Sequence, residues 1–404
     1  MSDGKTSTQH RVWWSNSVFF VGIHLLAVIG LYHYPFYAVP RATLLLGFCV
    51  WQLADFGITI GYHRLYSHRS FRAKLVVRVA VAALGSAAFQ GSIKWWCLRH
   101  RLHHRFTDDP EHDPYSATRG LFYSHMGWIF FKPKYGRLNL IEKDDLENDP
   151  VVYYQHKYYV PLAAFFGFIL PPLIGSLWND ASGAFVWGGL VAHLAIWHCT
   201  FLVNSLAHWE GLQPYSDEDT SRGNMILALL TGGEGNHNFH AFPHDYRSGP
   251  SKLDWDPSKW IIVAMHHLGL IHGLRRARED DMHDAVDFML RKRQNHTPYD
   301  VVVDEWQGPT WDATRLQEYT GNKSYQCLII IDDFVVDASS YLGEHPGGSA
   351  LLRKYSIRKG DGDASGCSSR PAMDASWAFN GGLNVHSRLA RRRMRELVVA
   401  RYTA

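Results

Sequence analysis

Imidazole is concentrated in four short stretches of the chain. His63-Arg-Leu-Tyr-Ser-His68 comes first, followed by His100-Arg-Leu-His103-His104. Asn204-Ser-Leu-Ala-His208 is third, and Gly233-Glu234-Gly-Asn-His237-Asn-Phe-His240 completes the set. Imidazole titrates near neutrality, and its neutral form is a common metal ligand, so these clusters point to metal chemistry. On a helix advancing about 100° per residue, His100, His103 and His104 fall within about one third of the circumference. They could therefore present three nitrogens to one site. Asn204 and His208, at i and i+4, share a face in the same way. His63 and His68 stand about 140° apart on such a helix. That spacing suits ligands of two neighbouring metals, or a helix end that unwinds between them. A ligand set of imidazole without cysteine fits iron, zinc or copper and disfavours calcium or magnesium. Asp108, Asp109, Glu111, Asp113 and Glu234 are candidates to orient imidazole N–H groups, or else are solvated loop charges.

The elements that must position these rings are apolar. Of 404 residues, 46% are hydrophobic and 14% aromatic, which excludes a disordered chain. The formal charge of +3 gives no basic field of the kind that binds nucleic acid. Cys49, Cys97, Cys199, Cys327 and Cys367 make no C-x-x-C pair, which argues against a disulfide scaffold and a thiolate zinc site. Val18 to Tyr34, Ala42 to Ile60, Val160 to Leu177 and Ala184 to Val203 are apolar runs close to the roughly 20 residues that cross a bilayer. They pair as two hairpins, the second turning at Asn179–Asp180. Leu75 to Phe89 is shorter and reads as a buried or interfacial helix. Residues 35–41 carry one cation and 178–183 none, whereas 61–159 carry 15 Lys or Arg. The positive-inside rule then places 61–159, both termini and all four histidine clusters in the cytosol. A lone histidine beside a membrane is ordinarily a hydrogen-bonding residue. Four clusters on one side, all near span ends, argue for a shared metal site.

Beyond a charged, helix-like stretch around Arg275–Asp281, residues 282–308 read as a linker. From Pro309-Thr-Trp311 the character changes. Cys327-Leu-Ile-Ile-Ile331 is strand-like and His345-Pro-Gly-Gly348 follows, a tight turn able to carry His345 to one side of a flat ligand. A second histidine, His386, lies in Phe379-Asn-Gly-Gly-Leu-Asn-Val-His386-Ser.

The motifs HRLYSH, HRLHHRFTDDPEHDPYSATRGLFYSHMGW, NSLAHW and GEGNHNFH–AFPHDYR closely resemble those of the membrane acyl-CoA Δ9 (stearoyl-CoA type) desaturases, over about residues 1–270. The tail resembles cytochrome b5 and extends the likeness to the fungal form. The resemblance implies an all-α membrane protein with four transmembrane helices, a cytosolic helical cap carrying the histidine boxes, and a small α+β haem domain. The implied boundaries are 1–281, a linker at 282–308, and 309–404. It implies two irons held by His63, His68, His100, His103, His104, His208, His237 and His240, with Asn204 holding a water on one of them. Haem b would take His345 and His386 as axial ligands. Lys132 falls at a CoA-contacting position and Phe201 where the family has a Trp near the acyl chain, while Gly91, Leu98 and Arg99 differ from other contact positions. Trp95, Trp96 and Trp128 could line or cap an acyl tunnel. The implied activity is insertion of a cis double bond into palmitoyl- or stearoyl-CoA with O2, in the endoplasmic-reticulum membrane. Electrons would come from NADH through a cytochrome b5 reductase.

Two departures stand out. The family's third box is H-x-x-H-H, but Ala241 follows His240, so His240 could stand for either member of the pair. Gly360 to Ser376 is a polar insertion between the two haem histidines. The first departure opens the alternative of a catalytically impaired homologue. A lipid hydroxylase or sphingolipid desaturase is the other alternative, since such enzymes share histidine boxes and b5 fusion.

Overall fold

The computed structural model describes residues 11–295, 306–321, 326–345, 347–357, 374–383 and 385–403. The chain divides into two compact units, Met1–Ala277 and Arg278–Ala404.

The first unit is helical. Four helices, Trp14–His33, Arg41–Ser67, Tyr159–Trp178 and Ala181–Trp209, are long and apolar enough to cross a membrane, and they coincide with the four apolar runs of the sequence to within a residue at Tyr34. Leu25, Val28, Ile29, Leu45, Phe48 and Leu173 face outward from the bundle, as a lipid-facing surface requires. Small residues let the spans approach closely. Gly30 lies against Val186 and Gly47 against the Trp187 backbone, where a Cβ would have 3.0 Å or less. The turn between the third and fourth spans is at Asn179, in left-handed conformation at φ 60°, and Asp180 caps the next helix through the Gly183 N–H. Thr43 Oγ1 donates to Asp180 Oδ2, tying the two hairpins together at this end.

The second span changes pitch midway. From Gly57 to Ser67 it is π-helical, and the His68 N–H bonds the His63 carbonyl at 3.0 Å, five residues back. The helix Leu75–Ala87 packs against this stretch through Val77, Val81, Ala82 and Gly85, with Leu75, Val76 and Val79 exposed. It is thus half buried, in keeping with a helix lying on the bundle. Gly85 admits the Tyr62 ring, and a side chain there would meet it within 2.3 Å. The helix Ile93–Arg105 begins at Ser92, whose Oγ accepts from the Trp95 N–H, and carries the second histidine cluster. His237–Ala241 is a single tight turn carrying the last.

The second unit holds a four-stranded sheet in the order Thr310–Trp311, Val398–Tyr402, Phe334–Asp337, Leu328–Ile331; the first pair is parallel and the rest antiparallel. Asp332 and Asp333, both at positive φ, make the two-residue hairpin between the last two strands. Strand Leu328–Ile331 is buried on both faces. Ile329 and Ile331 join Phe379, Leu342 and Leu352 on one face, and Leu328 and Ile330 join Trp311, Leu316 and Val335 on the other. Within the segment read as a linker, Glu279–Asn295 is a helix, acidic in its first turn and basic in its last, which suits the helix dipole. The rest of that span, 296–305, lies outside the described residues, as does most of the 360–376 insertion.

Candidate metal centre and its cavity

The eight box histidines gather in two groups. His63, His68, His100, His104 and His240 form the first, and His103, His208 and His237 the second; within each group the potential ligand nitrogens lie within 4.8 Å of one another. In the first, His68 Nε2 is 3.0 Å from His63 Nε2 and 2.9 Å from His100 Nε2. His104 Nε2 is 3.0 Å from His100 Nε2, and His240 Nε2 is 2.9 Å from His63 Nε2. Each such contact needs one proton between two lone pairs, so five converging Nε2 atoms cannot all satisfy one another. A cation accepting the lone pairs would satisfy them together.

Three expectations are resolved here. His63 and His68 point into one group, not to two metals and not across an unwound end. The π-helical pitch brings i and i+5 onto one face, where an α-helix would separate them. His100, His103 and His104 do not share a site either. The i, i+4 pair His100 and His104 turns to the first group, and His103, one residue short of a full turn, faces the second. His240 stands with the first group, so the second has three imidazoles, with Asn204 one helical turn before His208 on the same span.

The rings are held from behind. Asp113 Oδ1 accepts the His103 Nδ1–H at 2.9 Å. Asp108 takes both the backbone N–H and the hydroxyl proton of Thr220, at 2.7 and 2.8 Å. The Thr220 oxygen, 2.9 Å from His208 Nδ1, therefore accepts from that ring. This fixes the His208 tautomer, leaving Nε2 a buried lone pair with no protein partner. Glu234 lies 3.3 Å from His63 Nδ1 and binds the buried Arg64 at 2.9 Å, and Arg64 reaches Asp256 at 3.0 Å. His244 Nδ1 donates to the His68 carbonyl at 2.7 Å, bracing the backbone rather than joining a group. Asp109 instead caps a local turn at Glu111 and His112, and Glu111 is exposed.

Burial, reinforced by neighbouring rings, pushes His68, His100, His104, His237 and His240 well below the ordinary imidazole range. They are neutral at physiological pH, the form that ligates metal. Burial also opposes a charged His103, but Asp113 outweighs it and raises that ring. For Glu234, burial works against ionisation, yet Arg64 and His63 hold the carboxyl down at about 2. The donor set, the neutrality of those five rings and the oriented backs fit a pair of irons.

A cavity of about 1340 Å³ adjoins the first group. Lys132, Lys134, Arg119 and Lys157 line it; Phe19, Phe20, Phe89, Trp197 and Phe201 form apolar wall; His63, His100 and Asn204 also border it. Trp95, Trp96 and Trp128 line it too, and Trp96 stacks on His100 at 4.8 Å. Lys132 is exposed, whereas Phe201 is 6% exposed. Gly91 and Arg99 line the cavity, and Leu98 is buried in the core. The Arg99 guanidinium lies 4.0 Å from the Trp95 ring and 4.5 Å from that of Trp128, an aromatic box for a buried cation.

In the second unit, the His345 and His386 ring centroids are 6.3 Å apart. His386 Nδ1 donates to the Phe379 carbonyl at 2.9 Å, and its ring stacks on Phe379 at 4.2 Å. One iron between two imidazoles at about 2 Å from each nitrogen, the usual metal–imidazole distance, fits that gap.

Sequence reasoning overlooked Thr220, Arg64, Asp256 and Asp55. Asp55 was visible as a charge inside an apolar run, a functional signal in itself, and Arg64 sits within the first histidine motif. Thr220 and Asp256 carry no local signal.

A fatty acid desaturase family model matches residues 34–247, and a cytochrome b5-like haem/steroid binding domain model matches 312–358. The Schizosaccharomyces pombe protein named "Probable acyl-CoA desaturase" is 34% identical over 384 residues, covering 93% of this chain and 74% of that one. Acyl-CoA desaturase 1 of Saccharomyces cerevisiae is 37% identical over 396 residues, 96% of this chain and 73% of its own. Human stearoyl-CoA desaturase 5 is 37% identical over 290 residues, 68% of this chain and 84% of its own. With its four spans, paired histidine groups and C-terminal sheet, the chain belongs to the fatty acid desaturase family and carries a cytochrome b5-like haem-binding domain.

Proposed function

We propose that this protein is an acyl-CoA Δ9 desaturase of the endoplasmic-reticulum membrane, with both termini in the cytosol. The observation that carries the reading is the single cavity joining cations, an aromatic wall and His63, His100 and Asn204. A long acyl thioester has matching parts: an anionic CoA head and an apolar chain. Lys132, with Lys134 and Arg119, faces the CoA phosphates. Phe201 and its aromatic neighbours pack the chain and exclude water. The rings of His63, His68, His100, His104 and His240 would hold one iron, and those of His103, His208 and His237, with Asn204 through a water, the other.

Bound iron supplies the reductive activation of O2 that removal of two hydrogens from an unactivated methylene pair requires. This chain's residues do the rest. Trp96, stacked on His100, fixes that ring and walls the cavity beside it. Asp113 and the Asp108–Thr220 pair lock two ring tautomers so that each Nε2 faces inward. His345 and His386 would hold haem, which would supply a one-electron carrier for electrons from NADH by way of a flavin-dependent cytochrome b5 reductase. Covalent attachment of the haem domain raises its effective concentration at the iron site.

A second reading, a desaturase homologue with impaired activity, rests on the three-imidazole second group. Expression in cells auxotrophic for unsaturated fatty acids separates the two. Growth rescue, with Δ9 monounsaturated chains seen by mass spectrometry, is expected. Folded, haem-loaded protein without rescue supports the second reading, and hydroxylated chains as the product would overturn desaturation.

A further inference from the structure

The cavity reaches a carboxyl that the reaction does not use. Asp55 lies on the second span, is 2% exposed, and lines the cavity with Ile58 and Thr59. His63 is eight residues further along, roughly 12 Å at the helical rise. Asp55 is therefore on the part of the wall that runs deeper into the span than the metal centre. Its Oδ2 is buried without a hydrogen-bond partner. Gly232 packs close beside it, where a Cβ would come within 2.6 Å of Oδ2. An unsatisfied carboxyl inside a span is costly, and polar groups placed there mark ligand pathways.

A purely hydrocarbon tail leaves this carboxyl oxygen unmet. A hydroxyl both donates and accepts, so it can bond the carboxyl in either protonation state. We propose that Asp55 makes this end of the cavity a hydrogen-bonding subsite for acyl thioesters whose tail carries a hydroxyl group near its terminus. This rests on the acyl-thioester reading of the cavity.

The test is displacement of radiolabelled stearoyl-CoA from the detergent-solubilised full chain, which needs no turnover. The competitors are unlabelled stearoyl-CoA and ω-hydroxystearoyl-CoA, and the measured quantity is the ratio of their affinities. The expected ratio favours the hydroxylated chain by about tenfold, the size of one hydrogen bond to a carboxyl. Asp55→Leu brings the ratio to one or below, and Asp55→Asn, which keeps the shape and polarity, retains a preference. A ratio of one or below in the unaltered protein overturns the proposal without any variant, as does a ratio that Asp55→Leu leaves in place. Failure of labelled stearoyl-CoA to bind at all overturns the acyl-thioester reading and this subsite with it.

Discussion

Asp113 illustrates how much a metal centre owes to groups that never touch metal. Its Oδ1 takes the Nδ1 proton of His103, which both aims the ring and keeps Nε2 a lone pair. Asp113→Asn keeps the shape but can offer its NH2 to the ring, favouring the wrong tautomer. It is expected to weaken iron binding at the second group by about 10–100-fold, read by metal analysis after dialysis against graded chelator. The same measurement addresses Ala241. With His240 committed to the first group, chelator is expected to strip the protein in two steps, the second group releasing first. Ala241→His adds a nitrogen in the His237–Ala241 turn. It is expected to strengthen the weaker step by about tenfold or more and bring the two together. A single, unchanged step in both proteins would show that three imidazoles and Asn204 already suffice.

Between elements, one carboxylate ties two histidine stretches. Asp145 binds Arg101 at 2.6 Å and Arg69 at 2.9 Å, the neighbours of His100 and His68. Burial disfavours its charge, but the two guanidinium groups outweigh this and hold the carboxyl below its ordinary value. A carboxyl depressed on folding contributes stability that is present above the unfolded value of about 3.9 and is lost as pH falls through the lower folded value. The side chain is 35% exposed, so solvent screens the pair. Asp145→Ala is therefore expected to cost about 1–2 kcal/mol at neutral pH. The gap between variant and parent should shrink below pH 4, measured by thermal unfolding in detergent. A pH-independent difference would point to packing rather than charge.

Across the whole molecule, two cofactor sites lie in two separate units of one chain. His386→Ala is expected to abolish the haem Soret band while leaving iron content unchanged. NADH-driven desaturation should fall at least tenfold, and added soluble cytochrome b5 should restore part of it. Undiminished turnover without haem would show that electrons reach the iron by another route. The unit boundary also bears on how the sequence reads. Composition shifts at Pro309 were visible, but the helix Glu279–Asn295 was hidden, because its polar surface resembles a linker.

What the sequence determined by itself was everything set by local pattern. Hydropathy over about 20 residues defines the four spans, and the histidine motifs carry the family likeness and the metal type. Neighbour spacing alone could not sort the rings. His63 joins His68 because the second span widens to a π-helix, and His240 meets His63 from 177 positions away. Thr220, Asp256 and Gly232 are unremarkable in the sequence and acquire meaning from the carboxylates they meet. Hydrogen bonds and ligand geometry act over about 3 Å, whereas sequence spacing reports only the face of one helix. Which partner waits on that face is decided when the helices pack.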